Sequence, residues 1–276
     1  ATGSGIVKYG SGNTANLSAD KFYGIVAGDF QSSGGAVAIN EGTLNISGNQ
    51  SIGMAIATGN TGKNAASGII SYTGLNGAAD YNQGTFMNEG TIKADGMQNF
   101  GIYNSSGTST NSGRISVTNG ATGMYATGSG SKIINNGIIE LSGSNSVGMW
   151  ADNNAVGENW GTITTVPNSS NNGIIGVVAT NGGIIKNYGQ IVIEGPTNYI
   201  TYTDSASSFS NEVNPSTGQT GITSTEPITT PNPNPGTGMS GGTAASKSIA
   251  GVEIIIPKGS TTATATVNGV LTAPSA

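Results

Sequence analysis

Residues 135–151 read NNGIIELSGSNSVGMWA, and the fold follows from this stretch. An Asn and a Gly two residues later are followed by apolar side chains at alternate positions, Ile139 and Leu141. A polar turn then leads to GMWA at residues 148–151, where an apolar and a small residue flank an aromatic one. Alternation with a period of two is typical of a β-strand that buries one face.

The same pattern recurs along the chain with a period of about 24 residues. The leading asparagines are separated by 24, 24, 23, 24, 24 and 28 residues. They are Asn40, Asn64, Asn88, Asn111, Asn135, Asn159 and Asn187. A third short segment precedes the Asn of each copy, and in most copies the residue two positions before the Asn is apolar. Leucine-rich repeats have a similar length, but their Leu-x-x-Leu-x-Leu signature is missing here, and propeller blades need about 40 residues or more. The unit therefore predicts an all-β fold, a parallel β-helix with three strands per coil.

The composition excludes several classes of chemistry. The chain has 276 residues, 46 of them Gly, with only 8% charged residues and no His or Cys. Imidazole chemistry, thiol nucleophiles, disulfides and iron–sulfur clusters are therefore ruled out. The formal charge of −5 argues against nucleic acid as a partner, because phosphate binding needs clustered Lys and Arg. No apolar run approaches the length of a membrane span, so we expect no membrane insertion of this segment.

The composition changes near residue 203. Eight of the nine prolines lie at residue 196 or later. We therefore expect β-helix repeats over residues 1–203, a loop or linker over 204–248 whose most turn-rich part is 225–242, and a short C-terminal β element over 249–276. Residues 250–257 and 263–271 have strand character around an Asn-Gly turn.

The column of leading asparagines has a structural interpretation. Stacked inside the coil, each amide can hydrogen-bond to the next coil, and Asn also tolerates left-handed backbone at a turn. We interpret the seven residues as a structural ladder rather than as a polar ligand track.

The repeats also resemble a known family. The repeated N-x-G-x-I, with ATGMYA at 121–126 and VGMWA at 147–151, resembles the passengers of very large fusobacterial autotransporter adhesins, which are type V secreted proteins. The resemblance covers about residues 20–200, and the tail at 251–274 is also similar to such passengers. It implies a right-handed β-helix that binds host cells or other bacteria. It also implies attachment to the outer membrane at the bacterial cell surface through a C-terminal barrel that is not in this sequence.

Acidic residues are the only candidates for catalysis, since β-helices also host glycan-cleaving enzymes. A glycosidase needs two carboxyl groups about 5–9.5 Å apart. Glu41 and Glu89 match in register but are two coils apart, and Asp152 and Glu158 are separated by a turn. The Gly- and Asp-rich nonapeptide of calcium-binding β-rolls is absent. We therefore predict no enzyme activity, no metal and no cofactor.

Two features are candidates for binding. The residue between the inward pair of the Gly-(apolar)-x-(small) strand should point outward, because successive residues of a strand alternate faces. This column predicts Ala78, Tyr103, Tyr125 and Trp150 on consecutive coils. The copy at Asn159 also carries four extra residues within 165–172, including Pro167 and Asn168. The aromatic residues either stabilise the sheet by covering each other or form a recognition strip with this insertion as a lip.

The sequence thus predicts a non-catalytic stalk segment of an exported adhesin, an elongated monomer with a role in virulence. Its partner would be a host-cell protein or glycan, or a partner bacterial cell. The alternatives are a β-helical glycan-processing enzyme or phage tail fibre, which would show paired acids, and a structural spacer with recognition elsewhere in the full protein.

Overall fold

The chain forms a parallel β-solenoid without helices in the part that the structure describes. The structure is a computed structural model. It describes residues 3–30, 34–166, 171–195 and 197–223, together with the backbone of three later strands. Each coil of about 24 residues contributes one strand to each of three sheets, A, B and C, in that order along the chain. The all-β class and the coil length are as the repeat predicted, while the right-handed sense stays a prediction.

Sheet A contains nine parallel strands, each from a different coil. They are β1 (Ile6–Tyr9), β4 (Val37–Asn40), β7 (Thr61–Asn64), β10 (Thr85–Asn88), β13 (Thr108–Asn111), β16 (Lys132–Asn135), β19 (Val156–Asn159), β22 (Ile184–Asn187) and β25 (Ser208–Asn211).

Sheet B contains nine parallel strands that follow sheet A after a tight turn. They are β2 (Thr14–Leu17), β5 (Thr43–Ile46), β8 (Ile69–Tyr72), β11 (Thr91–Asp95), β14 (Arg114–Thr118), β17 (Ile138–Ser142), β20 (Thr162–Thr165), β23 (Gln190–Val192) and β26 (Ile222–Thr223).

Sheet C contains eight parallel strands and continues into three antiparallel ones. The parallel strands are β3 (Tyr23–Ala27), β6 (Ile52–Ile56), β9 (Ala78–Asn82), β12 (Phe100–Asn104), β15 (Thr122–Thr127), β18 (Val147–Asp152), β21 (Ile175–Thr180) and β24 (Tyr199–Thr203). The antiparallel strands are β27 (Ala244–Ile249), β28 (Val252–Pro257) and β29 (Thr264–Val267).

The register of the ladders reproduces the sequence repeat. In sheet B, Ile115 pairs with Ile92 on one side and with Ile139 on the other, and all three side chains are fully buried. Ser116, one residue later, lies on the opposite face and is half-buried. Because each buried Ile is worth about 1.5–3 kcal/mol, the stacked apolar columns supply the core that holds the coils together.

The glycine of the Asn-x-Gly turn is required by a close approach between coils. A Cβ atom on Gly113 would overlap the carbonyl oxygen of Gly90, and one on Gly137 would overlap the carbonyl oxygen of Gly113. These glycines do not have positive φ. Positive φ occurs instead in the turn between sheets B and C, for example at Asn119 (53°) and Asn145 (60°). The expectation that the leading asparagines adopt left-handed backbone is therefore wrong.

In one coil, the residue that points outward from sheet C is not the one that the repeat predicted. Strand β9 pairs Tyr81 with Tyr103 and Asp80 with Ile102, so Tyr81 and not Ala78 lies in this column. Ala78 is 3% exposed. In strand β9, Ala79 occupies the place that Gly has in most other coils, and the residue two positions later, Tyr81, points outward.

The parallel pairing continues beyond residue 203, where we expected the repeats to end. Strands β25 and β26 add one strand each to sheets A and B. Strand β27, which begins within the expected linker 204–248 and ends at Ile249, pairs antiparallel with β24. Residues 225–242 lie outside the described residues. The C-terminal β element expected over 249–276 contains strands β28 and β29, while the Asn-Gly turn that we predicted at 268–269 lies outside the described residues.

Candidate functional site

The leading asparagines form a continuous internal ladder. Each Nδ2 donates to the Oδ1 of the Asn one coil later, with N···O distances between 2.7 and 2.9 Å from Asn40 to Asn211. The seven residues named from the sequence are all fully buried. The same Nδ2 atoms also lie close to the carbonyl of the turn glycine, for example Gly113 O at 3.4 Å from Asn111. Each coil is thus joined to the next through its interior.

The two ends of this ladder were not predicted. At the C-terminal end Asn211 is an eighth member, which the sequence signals only by its spacing of 24 residues from Asn187. At the N-terminal end Tyr9 pairs with Asn40 in sheet A, so no Asn precedes it there. The buried Oδ1 of Asn40 consequently has no hydrogen-bond partner among the described residues.

An aromatic strip runs along the outer face of sheet C. We use this name for Tyr81, Tyr103, Tyr125 and Trp150, which lie on four consecutive coils and are all half-buried. Their ring centroids are separated by 5.5, 5.0 and 5.1 Å along the column. These distances lie within the range of favourable aromatic pairs. The structure therefore brings together three of the predicted residues and adds Tyr81.

Other aromatic rings lengthen and thicken the strip. Phe100 packs edge-on against Tyr103 at 5.1 Å and lies 5.2 Å from Tyr125. Phe30 lies 6.1 Å from Tyr81 and leads to Tyr23, which is 53% exposed. The rings form a continuous surface of partly exposed apolar area on a rigid sheet.

Polar groups at the edge of the strip fix the orientation of the rings. The hydroxyl of Tyr125 donates to Asp152 Oδ2 at 3.0 Å, and the indole N–H of Trp150 donates to Thr180 Oγ1 at 2.8 Å. Thr180 in turn donates to Asp152 Oδ1 at 2.8 Å. Burial raises the pKa of Tyr103, and burial together with the nearby Asp152 carboxylate raises that of Tyr125. Both hydroxyls therefore stay protonated at neutral pH and can act as hydrogen-bond donors.

The predicted lip of the strip is only partly described. Pro167 and Asn168 lie outside the described residues. Next to them, Asn171 Nδ2 donates to the carbonyl of Val166 at 2.7 Å, and its Oδ1 accepts from the amide of Gly143 at 2.9 Å. The insertion is thus anchored at its base to the preceding coil.

The glutamates that could have served in catalysis are engaged in ion pairs between neighbouring coils. Glu41 pairs with Lys8 at 2.7 Å, and Glu89 pairs with Lys63 at 2.7 Å. Glu140 and Glu158 are bound in the same way. Their partners are Arg114 for Glu140 and Lys132 for Glu158. Within the ranges that the structure covers, no group of three or more acidic side chains could hold a metal ion.

Asp80 is a buried carboxyl group in the apolar interior. It occupies the inward column of sheet C between Met54 and Ile102 and is fully buried. Neither of its oxygens has a hydrogen-bond partner among the described residues. Burial raises the pKa of Asp80 well above its ordinary range, so the neutral form is favoured. The repeat pattern predicts an apolar or small residue here, and sequence analysis did not single it out.

The fold and its stacked columns define a parallel β-solenoid built from one repeated coil. A family model described as the BigA third pectate lyase-like domain matches residues 57–160, which include the whole aromatic strip. Neither the curated proteins nor the solved structures give a significant match to the chain. The described residues include no helix long and apolar enough to cross a membrane.

Proposed function

We propose that this chain is a non-catalytic segment of a bacterial surface adhesin of the autotransporter class. It forms an elongated stalk on the cell surface, and its aromatic strip binds a protein or glycan on a host cell or on a partner bacterium. The observation that carries the proposal is the strip itself. Contiguous apolar patches that remain partly exposed on a rigid scaffold often mark interaction sites, and Tyr and Trp are enriched among the residues that dominate binding energy.

The similarity to the BigA domain model supports the coarser part of this proposal, a β-helical protein of the bacterial surface. The resemblance of the repeats to fusobacterial passengers supports the finer part, type V secretion and attachment at the outer membrane. Both similarities concern the repeated coil. The binding surface is inferred from the geometry of the aromatic strip.

The words pectate lyase-like in the matching family model favour a second candidate, a glycan-processing enzyme. The ion pairs argue against it, because each of these carboxylates is already engaged by a Lys or Arg side chain of a neighbouring coil. In Glu158, burial alone would raise the pKa of the carboxyl group, but hydrogen bonds from Lys132 and Trp160, together with the charges of Lys132 and Lys186, outweigh that effect and lower it. A lowered pKa makes Glu158 a poor general acid. An assay for reducing ends released from host glycans tests this alternative.

Truncating the strip tests the proposal. We expect the double variant Tyr125→Ala and Trp150→Ala to reduce adhesion of coated beads to host cells or partner bacteria at least tenfold, equivalent to about 1.4 kcal/mol. Removal of the two rings exposes no buried charge, so the melting temperature should fall by only a few degrees.

The matched control is the double variant Met87→Ala and Ile138→Ala, which removes exposed apolar side chains from sheets A and B. It should adhere like the original protein. Normal adhesion of the strip variant, or a loss that merely follows its unfolding, would show that the rings are structural and that the segment is a spacer.

A further inference from the structure

A second aromatic pair lies away from the strip, at the turns between sheets A and B. Trp160 and Tyr188 each follow a ladder asparagine, on consecutive coils. Their rings are stacked face to face, with centroids 3.8 Å apart and an angle of 4° between the planes. The indole N–H of Trp160 donates to Glu158 Oε2 at 3.2 Å, and Glu158 is itself held by Lys132. The pair is therefore pre-oriented, although both rings remain partly exposed.

An inserted hairpin stands next to this pair. In the coil that contains Asn187, strand β23 begins three residues after this Asn. In the next coil, strand β26 begins eleven residues after Asn211. The eight additional residues fold back on themselves. Val213 and Thr220 form an antiparallel bridge, and the amide of Asn214 donates to the carbonyl of Gln219 at 2.8 Å.

The pair and the hairpin line a cavity of about 310 Å³ that is open to solvent. This volume lies at the lower end of the range for small-ligand sites. Besides the two rings, its described lining offers the side-chain amides of Gln190, Asn214 and Gln219. It also offers hydroxyl groups, which belong to Thr162, Thr217 and Thr220. Lys, Arg, Asp and Glu are absent from the described lining.

We propose that this cavity is a binding site for a neutral saccharide. A sugar ring presents an apolar C–H face and a rim of hydroxyl groups that both donate and accept. Flat aromatic rings fit the face, while amides and hydroxyls, which also donate and accept, fit the rim. The described lining offers no cationic partner to an anionic ligand and no carboxylate to a cationic ligand, so its polar groups match a neutral ligand.

The chemistry of this site differs from that of the aromatic strip, and the two are independent. The hairpin supplies one wall and the solenoid supplies the other, an arrangement in which a loop on a rigid scaffold carries recognition. The cavity belongs to the C-terminal coils, beyond residues 57–160 that the family model covers, apart from Trp160 at its boundary.

Nuclear magnetic resonance of the two indole N–H groups tests the proposal on the intact chain. The sequence contains only two tryptophans, so Trp150 serves as an internal reference for Trp160 once a Trp160→Phe variant has assigned the signals. The probes are maltohexaose, cellohexaose and hexa-N-acetylchitohexaose, with hexagalacturonic acid as the charged comparison. We expect at least one neutral hexasaccharide to shift the Trp160 signal with millimolar affinity while the Trp150 signal stays in place.

Variants separate binding from folding. Tyr188→Ala and Gln219→Ala should each weaken binding at least tenfold. Asn136→Ala, at the same turn position one coil before Trp160 and outside the cavity, should bind like the original protein with an equal melting temperature. The proposal is overturned if no neutral hexasaccharide shifts the Trp160 signal at about 10 mM, equivalent to a binding free energy weaker than about 3 kcal/mol. Equal binding of hexagalacturonic acid, or an equal shift of Trp150, would also overturn it. Because no cells are used, the result is independent of whether the strip mediates adhesion.

Discussion

Replacement of Asn111 by Leu is expected to lower the free energy of unfolding by roughly 2–6 kcal/mol. Asn111 lies in the middle of the ladder, where it accepts from Asn88 and donates to Asn135 at 2.7 and 2.8 Å. Leu leaves the buried Oδ1 of Asn135 without a donor. It also removes the shortest acceptor of Asn88 Nδ2, which keeps only the longer contacts to the carbonyls of Gly90 and Arg114 at 3.3 and 3.4 Å. Loss of a buried hydrogen-bond partner costs about 1–3 kcal/mol per group. Urea denaturation followed by circular dichroism measures the change.

Two comparisons make this prediction specific to the ladder. Asn45→Leu breaks an exposed amide–amide hydrogen bond to Asn16 at 2.9 Å on the outside of sheet B and should change stability by only about 0.5 kcal/mol. Asn40→Leu should cost less than Asn111→Leu, because Asn40 ends the ladder and already has an unpartnered Oδ1 among the described residues. Equal losses at all three positions would contradict the interpretation of the ladder as a continuous chain of buried amides.

Replacement of Asp80 by Val is expected to raise the free energy of unfolding by about 1–3 kcal/mol at acidic pH and by more at neutral pH. A buried polar group without a hydrogen bond costs about 1–3 kcal/mol in proteins, and both oxygens of Asp80 lack a partner among the described residues. Val fits the position, since Val177 occupies the same inward column four coils later. Thermal and urea denaturation of both proteins at several pH values measure the gain.

The pH dependence has a definite sign. The folded-state pKa of Asp80 is raised above the unfolded value of about 3.9. The folded protein therefore binds more protons, and its stability falls as the pH rises from about 4 through the raised pKa. Asp80→Asn removes this dependence but still buries an unpaired polar group, so it should stabilise less than Asp80→Val at neutral pH. Parallel pH profiles for the original protein and the Asp80→Val variant would show that the carboxyl group is solvated after all.

The repeat predicts most of the fold because the interior of a coil restricts each position strongly. Ile115 must be apolar, Gly113 must lack a side chain, and the ladder position must carry an amide. Where a coil departs from this pattern the prediction fails. Ala79 takes the place of the usual Gly in strand β9, and the outward position that the sequence assigned to Ala78 is occupied by Tyr81.

The saccharide cavity depends on positions at which the repeat does not restrict the residue type. Trp160 and Tyr188 share a turn position on adjacent coils, so their contact could have been inferred from the alignment. The hairpin at 213–220 could not have been inferred from the repeat, because Asn211 is followed by Glu-Val instead of the usual turn glycine. Its conformation depends on its own hydrogen bonds rather than on the repeat.

The direction of the asparagine amides has a consequence for how coils can be exchanged. Every Nδ2 points to the following coil, so each coil offers an acceptor on its N-terminal side and a donor on its C-terminal side. Neighbouring coils are therefore interchangeable units that stack in a single orientation. Deletion of residues 112–135 joins Asn111 directly to the turn that begins at Asn136, so that Asn111 donates to Asn159 and both the ladder and the inward apolar columns continue unbroken. The protein can thus be shortened or lengthened by whole coils while its interior chemistry stays the same.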